Sequence, residues 1–234
     1  FYSVFWNTIR ISLIRLIFGF PFPIIIALLL NELRLGKVKR VIQTAIYIPN
    51  FISWVVLGGI LTSLLSMDSG IVNGVIKALG FAPIGFLTDE KYFVGTMVVS
   101  MIWKTFGWNT IIYLAAITGI DPQLYEAAKI DGAGTFQRFL HVTIPMSMPM
   151  IFFNAVTMLI GTFQYNGALT FSYHGRGEQD ALYMLGVYIY NQAFGEFSRY
   201  GYASALSWIL LLIVGAMTAV MFAVRKKLYM GDDN

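Results

Sequence analysis

The chain reads as long apolar runs separated by short polar ones. Five runs reach the roughly 20 residues that a bilayer requires: about 9–30, 41–65, 93–118, 146–170 and 203–224. This pattern predicts an all-α fold, a polytopic membrane helical bundle forming one domain over residues 1–234. Pro21, Pro23, Pro49, Gly58, Gly59 and Gly107 interrupt the runs; membrane helices tolerate such breaks where neighbouring groups satisfy the freed backbone.

The short polar runs orient the bundle. Arg34, Lys37, Lys39 and Arg40 crowd the first connection, Lys129 and Arg138 lie in the third, and Arg225, Lys226 and Lys227 follow the last run. An excess of Lys and Arg marks cytoplasmic loops, so these three segments are assigned inside. The connections 66–92 and 171–202 mix their cations with Asp and Glu and are assigned outside. Alternation then holds for all five runs and places Phe1 outside. Arg10 and Arg15 sit at the external end of the first run, facing the interface or a neighbouring helix, since a lipid-facing Arg at mid-depth costs about 2.5–3.5 kcal/mol.

Composition agrees. Of 234 residues, 57% are hydrophobic and 12% charged, with a mean hydropathy of +0.69; soluble domains carry about a quarter charged residues. With no Cys there is no disulfide or thiolate metal site. The basic pI of about 9.2 comes from the cytoplasmic clusters, and no basic stripe interleaved with aromatics points to nucleic acid. His141 and His174 have no ligand-like spacing, so no metal site is proposed. An external start without Met at position 1 leads us to expect a longer protein, and no signal peptide is visible.

The third connection carries the most specific pattern. Asp121 can N-cap a helix with Pro122 at its first position, and Gly132 with Gly134 supply the break after Asp131. Thr135 can cap a second short helix that must stop near Pro145. Ala127 and Ala128 let another surface approach the backbone, with the charge of Glu126 beside them.

Glu126, Ala127, Ala128, Gly132, Val142, Ile144 and Pro145, at these spacings and between two spans, resemble the cytoplasmic EAA loop of the permease subunits of binding-protein-dependent ABC importers. Val142 and Ile144 replace the usual Ile and Leu. Phe5-Trp6-Asn7-Thr8, the run Tyr188–Phe194 and Gly201–Ala205 resemble the carbohydrate branch of that family. The resemblance implies a type I ABC importer transmembrane domain with a further helix before Phe1. It also implies a multi-pass location in the bacterial cell (inner) membrane. Its expected partners are a second permease subunit, two ATPase subunits, an extracellular or periplasmic solute-binding protein, a carbohydrate substrate and membrane lipid. No phosphate-binding loop occurs in the sequence, so ATP and Mg belong on the ATPase subunits and this chain is not itself an enzyme. Glu126 is then expected to meet a basic ATPase residue, Ala127 and Ala128 to allow close docking, and Gly132 to set the bend of a coupling loop at about 121–145 that ends at Pro145.

Polar residues inside the runs are candidates for the substrate path. Lys104 shares one helical face with Met101, Thr105 and Trp108, and an intramembrane charge must face protein or water. Met158, Thr162, Tyr165 and Asn166 form a second stripe near Asn154 and Gln164; Asn50 follows Pro49. Hydroxyls and amides suit a sugar's many donors and acceptors, and a Trp or Tyr ring can pack on a pyranose. The bland alternative for each is interhelical hydrogen bonding. The external aromatics Tyr183, Tyr188, Tyr190, Phe194, Phe197, Tyr200 and Tyr202 fit an interfacial belt or a binding-protein dock.

Two rival functions remain. A non-sugar solute such as glycerol phosphate or a peptide would keep the architecture, and Lys104 would suit an anion. A secondary transporter would ordinarily place carboxylates within its spans, and the five runs contain no Asp or Glu.

Overall fold

The computed structural model describes residues 2–33, 35–163 and 184–229, and its regular structure there is helical. The first run becomes α1 (Tyr2–Gly19) and α2 (Pro21–Glu32), broken at Phe20. Pro21 and Pro23 explain the break. Neither can donate a helical N–H, and both are tolerated in a first turn. The second run becomes α3 (Gly36–Phe51) and α4 (Trp54–Leu65). A short external helix, α5 (Ile71–Ala78), precedes the 29-residue α6 (Glu90–Thr118). The third connection holds α7 (Pro122–Ile130) and α8 (Thr135–Arg138). A π-helical turn at Phe139–Thr143 leads into α9 (Ile144–Phe163). The described chain ends with α10 (Leu185–Phe194) and α11 (Tyr200–Tyr229).

Among the described residues, three helical stretches are long and apolar enough to cross a membrane alone: Tyr2–Glu32, Thr135–Gly161 and Tyr200–Lys226. The expected span at 41–65 is broken into two helices, α3 and α4. Ser53 is the cause that the hydropathy pattern hid. Its Oγ accepts from the Val56 N–H at 3.2 Å and starts a new helix, two residues after α3 has ended. α6 is long enough to cross, about 43 Å at 1.5 Å per residue, but less apolar, because it carries buried Lys104 and Thr110.

The described residues cluster into two compact units. One comprises Phe1–Arg15, Ile52–Met101 and Leu159–Asn234. Here Asn73 is completely buried and replaces absent secondary structure in the external connection. Its Nδ2 donates to the carbonyls of Leu65, Ser66 and Ile84, and its Oδ1 accepts from the Ile84 N–H at 2.7 Å. One side chain thus closes the loop around α5, and the Lys77 ammonium adds a bond to Met67 O at 3.0 Å. In the same unit α10 packs on α11 as a hairpin, with Tyr188 edge-on to Tyr202 and Phe194 edge-on to Tyr200.

The other unit comprises Leu16–Phe51 and Ile102–Met158. Ala27 and Leu30 of α2 bury against Tyr113, Leu114 and Ile117 of α6, with Ile42 and Ile46 of α3 packed alongside. The register is legible from single contacts. Phe22 meets Phe106 edge-on at 5.1 Å and Thr110 Oγ1 reaches Pro23 O at 3.4 Å, so α2 and α6 run parallel. Gly107 lies against Ile46 O so closely that a Cβ there would sit 1.9 Å from it. Lys104, one turn earlier, meets Asn50, one turn later, so α3 and α6 run antiparallel. Both directions agree with the alternation of the runs along the sequence.

Candidate functional site

α7 is set up by its termini. Asp121 accepts from the Gln123 N–H at 2.9 Å, and Pro122 occupies the first turn, as the sequence predicts. At the other end Gly132 has φ +78°. Its N–H bonds Lys129 O at 3.0 Å, and the Ala133 N–H bonds Ala128 O at 2.9 Å. This double closure is a Schellman motif, which needs a left-handed residue where a Cβ costs about 1–2 kcal/mol. Glu126 and Ala127 are exposed and Ala128 is half-buried. Ile130 at the helix end is 87% exposed, and Leu124 is exposed as well. The helix therefore offers a carboxylate, small residues and bare aliphatic groups to the outside.

α7 is also tied sideways: Tyr125 Oη and Thr143 Oγ1 are 3.0 Å apart. Thr143 belongs to the π turn, and this turn corrects two expectations. Thr135 does not cap α8; it is the helix's first residue, the N-cap is Gly134, and the Gln137 side chain accepts the Gly134 N–H at 2.8 Å. Nor does the helix stop near Pro145. The segment Thr135–Gly161 is helical throughout: Pro145 falls in the first turn of α9, where a missing N–H is tolerated, directly after the π turn in which the Ile144 N–H bonds Phe139 O. Pro145 itself is exposed at the base of α9.

Of the residues proposed for the substrate path, Lys104 is 6% exposed. Its ammonium donates to Asn50 O at 2.8 Å and Pro49 O at 3.3 Å. These carbonyls belong to the last turn of α3, where intrahelical donors run out. A cation there also meets the negative end of the helix dipole. Lys104 thus closes a helix terminus, and Asn50 contributes its backbone to that contact while its half-buried side chain stands beside it. Trp108 is 49% exposed. Tyr165 and Asn166 lie outside the described residues, as do Gln164, His174, Tyr183 and the side chain of Thr162. Asn154 is buried, with its Nδ2 unpaired.

Sequence reasoning missed Asn73, and it valued Thr8 only as part of a motif. The Leu185 N–H, at the start of α10, donates to Thr8 Oγ1 at 2.8 Å, and that hydroxyl donates to Val4 O at 2.8 Å. α10 has no cap from its own sequence, so α1 supplies one.

The described helices are those of a membrane protein that carries an exposed, capped helix, α7, between the long helices α6 and α9. Residues 11–229 match the sequence profile of the binding-protein-dependent transport system inner membrane component, and the chain belongs to that family. Over 145 residues it is 46% identical to a polygalacturonan/rhamnogalacturonan transport system permease protein of Bacillus subtilis, covering 62% of this chain and 45% of that one. It thus spans less than half the length of that relative. It is 34% identical over 231 residues to the lactose transport system permease protein of Rhizobium radiobacter, covering 96% of this chain and 77% of the other. A solved chain from a bacterial alginate ABC transporter, in complex with an alginate pentasaccharide-bound periplasmic protein, superposes with a TM-score of 0.91. Its identity is 30%, with 97% of this chain and 79% of that chain covered.

Proposed function

We propose that the chain is the permease subunit of an ATP-driven importer that brings a sugar or oligosaccharide into the cell by alternating access. The observation that carries this reading is α7: a rigid, capped helix that leaves Glu126, Ala127 and Ile130 uncovered on the cytoplasmic side. A contiguous exposed surface of this kind marks a partner's place. The partner is an ATPase subunit. Glu126 pairs with one of its basic residues, Ala127 and Ala128 allow its surface to reach the helix backbone, and Gly132 holds the bend that lets α7 stand clear of α8. ATP and Mg act on two ATPase copies, and their closure pushes α7. A second permease completes the aqueous path, since five spans enclose little more than their own packed side chains.

The sugar reading draws support from relatives named for polygalacturonan/rhamnogalacturonan and lactose transport and from the solved importer of the acidic polysaccharide alginate. Those substrates include a neutral disaccharide and an acidic polysaccharide, so the charge of the solute is open to measurement. Trp108, Asn50, Thr162, Tyr165 and Asn166 are the proposed contacts, with ring stacking and amide hydrogen bonds as the chemistry. For Lys104 the proposed substrate role competes with its observed place at the end of α3.

The test is uptake of labelled oligosaccharides into proteoliposomes that contain the full-length chain, its second permease, the ATPase and the binding protein. ATP-dependent accumulation of a saccharide supports the proposal. Accumulation that follows an imposed ion gradient and ignores ATP overturns it in favour of a secondary transporter.

A further inference from the structure

A groove of about 480 Å³ opens beside the cytoplasmic segment, a volume in the range of pockets that hold a ligand of several hundred daltons. Ile25, Leu28 and Leu29 of α2 line it together with Phe136, Arg138 and Phe139. Ile25, Leu29 and Phe136 remain 52%, 61% and 70% exposed, so the groove is open. Its apolar lining continues up the helix. Phe18, Phe22, Ile25 and Leu29 follow one another at intervals of four, three and four residues, all exposed, and therefore form one stripe along α1 and α2. In the assigned topology this stripe runs from mid-membrane to the cytoplasmic interface.

The polar end of the groove is Arg138. Its Nη2 donates to Thr135 Oγ1 at 3.2 Å, and its Nε is buried with no partner. A methylene chain entering from the hydrocarbon meets apolar side chains along the stripe and then the guanidinium of Arg138 at interface depth. That sequence fits a molecule that is apolar along its length and anionic at its cytoplasmic end. We propose that the groove seats an anionic phospholipid of the cytoplasmic leaflet, with its phosphate on Arg138 and an acyl chain along Leu29 and Ile25. The planar guanidinium suits phosphate oxygens. Glu32 lines the same groove and opposes the phosphate, which gives the test a second direction. The inference stands apart from the identity of the transported solute.

The experiment uses the assembled transporter with the full-length chain, in nanodiscs of phosphatidylcholine with a minor fraction of phosphatidylglycerol, and reads retained lipid by native mass spectrometry. Wild type retains phosphatidylglycerol in preference to phosphatidylcholine. Arg138→Gln lowers that preference about tenfold, the equivalent of one lost charge-assisted contact. Leu29→Trp, which fills the groove from the opposite wall, lowers it as well, and Glu32→Gln raises it. Should Arg138→Gln not assemble, Leu29→Trp and Glu32→Gln decide. Equal retention in wild type and these variants overturns the proposal. So does a photocross-linker at Phe136 that captures a protein subunit instead of lipid, because the groove is then a protein interface.

Discussion

Thr8 and Leu185 are 177 residues apart in sequence, and a 2.8 Å hydrogen bond joins the hydroxyl of the first to the N–H of the second. The bond does for α10 what a neighbouring Ser or Asp ordinarily does for a helix start. Thr8→Val keeps the shape and removes the cap, at a cost of about 1 kcal/mol. For a chain of this size the thermal midpoint of the purified complex falls by about 2–4 °C, and Thr8→Ser restores it. An unchanged midpoint in Thr8→Val removes the cap from the list of stabilising contacts.

Asn73 ties together both ends of the connection between α4 and α6. Asn73→Ala strips partners from the Ile84 N–H and three carbonyls, which costs about 1–3 kcal/mol for each group that water does not reach. Limited proteolysis from the external side should then cut between residues 66 and 89 several times faster than in wild type. Equal cutting rates would mean that the loop is held by something else.

Lys104 presents two opposing magnitudes. Its removal frees the membrane interior of a charge worth about 2.5–3.5 kcal/mol, yet leaves the carbonyls of Pro49 and Asn50 short of a donor at about 1–3 kcal/mol each. The terms nearly cancel, so Lys104→Met should barely move the thermal midpoint. The change is local instead. A Cys at Phe51 should react faster with a hydrophilic maleimide once Lys104 no longer holds the last turn of α3. Uptake separates the rival role: if Lys104 grips an anionic solute, Lys104→Met abolishes transport of that solute while the maleimide rate stays as in wild type.

Glu126→Ala and Gly132→Pro should leave the complex assembled and weaken the link between ATP turnover and uptake. The first deletes one member of the proposed ion pair; the second removes the N–H that bonds Lys129 O and denies the backbone φ +78°. Uptake per ATP hydrolysed, in proteoliposomes with binding protein, should fall at least several-fold in both. Wild-type stoichiometry in both variants would withdraw the coupling role from α7.

How far the sequence foretold these features depends on how local each cause is. α7 was legible to within a residue because Asp121, Pro122 and Gly132 act on their immediate neighbours. The split at Ser53 was missed because hydropathy averages over a bend, although a Ser three residues before Val56 is a cap signal. The continuation past Pro145 was missed for a different reason: a π turn has no composition of its own, so a proline reads as a stop. Thr8 and Asn73 were least legible. Their partners lie 177 and 11 residues away, and nothing in the flanking sequence points to them. The path residues stay mixed, since Lys104 reads equally well as a substrate contact or a helix end until its carbonyl partners are seen.

The pairing of Tyr125 with Thr143 decides what kind of motion α7 can deliver. A lever fixed at one pivot transmits a push and swings freely about that point. α7 has three anchorages, the peptide chain through Asp121, the capped end at Gly132 and the phenol bridge to the π turn. A body held at several separated points cannot pivot about any one of them alone, so a sideways load on Glu126 arrives at the foot of α9 as torque. Under the proposed coupling role, a push from the ATPase would then rotate the base of that helix about an axis that the hydroxyl-to-hydroxyl contact of Tyr125 and Thr143 helps to set.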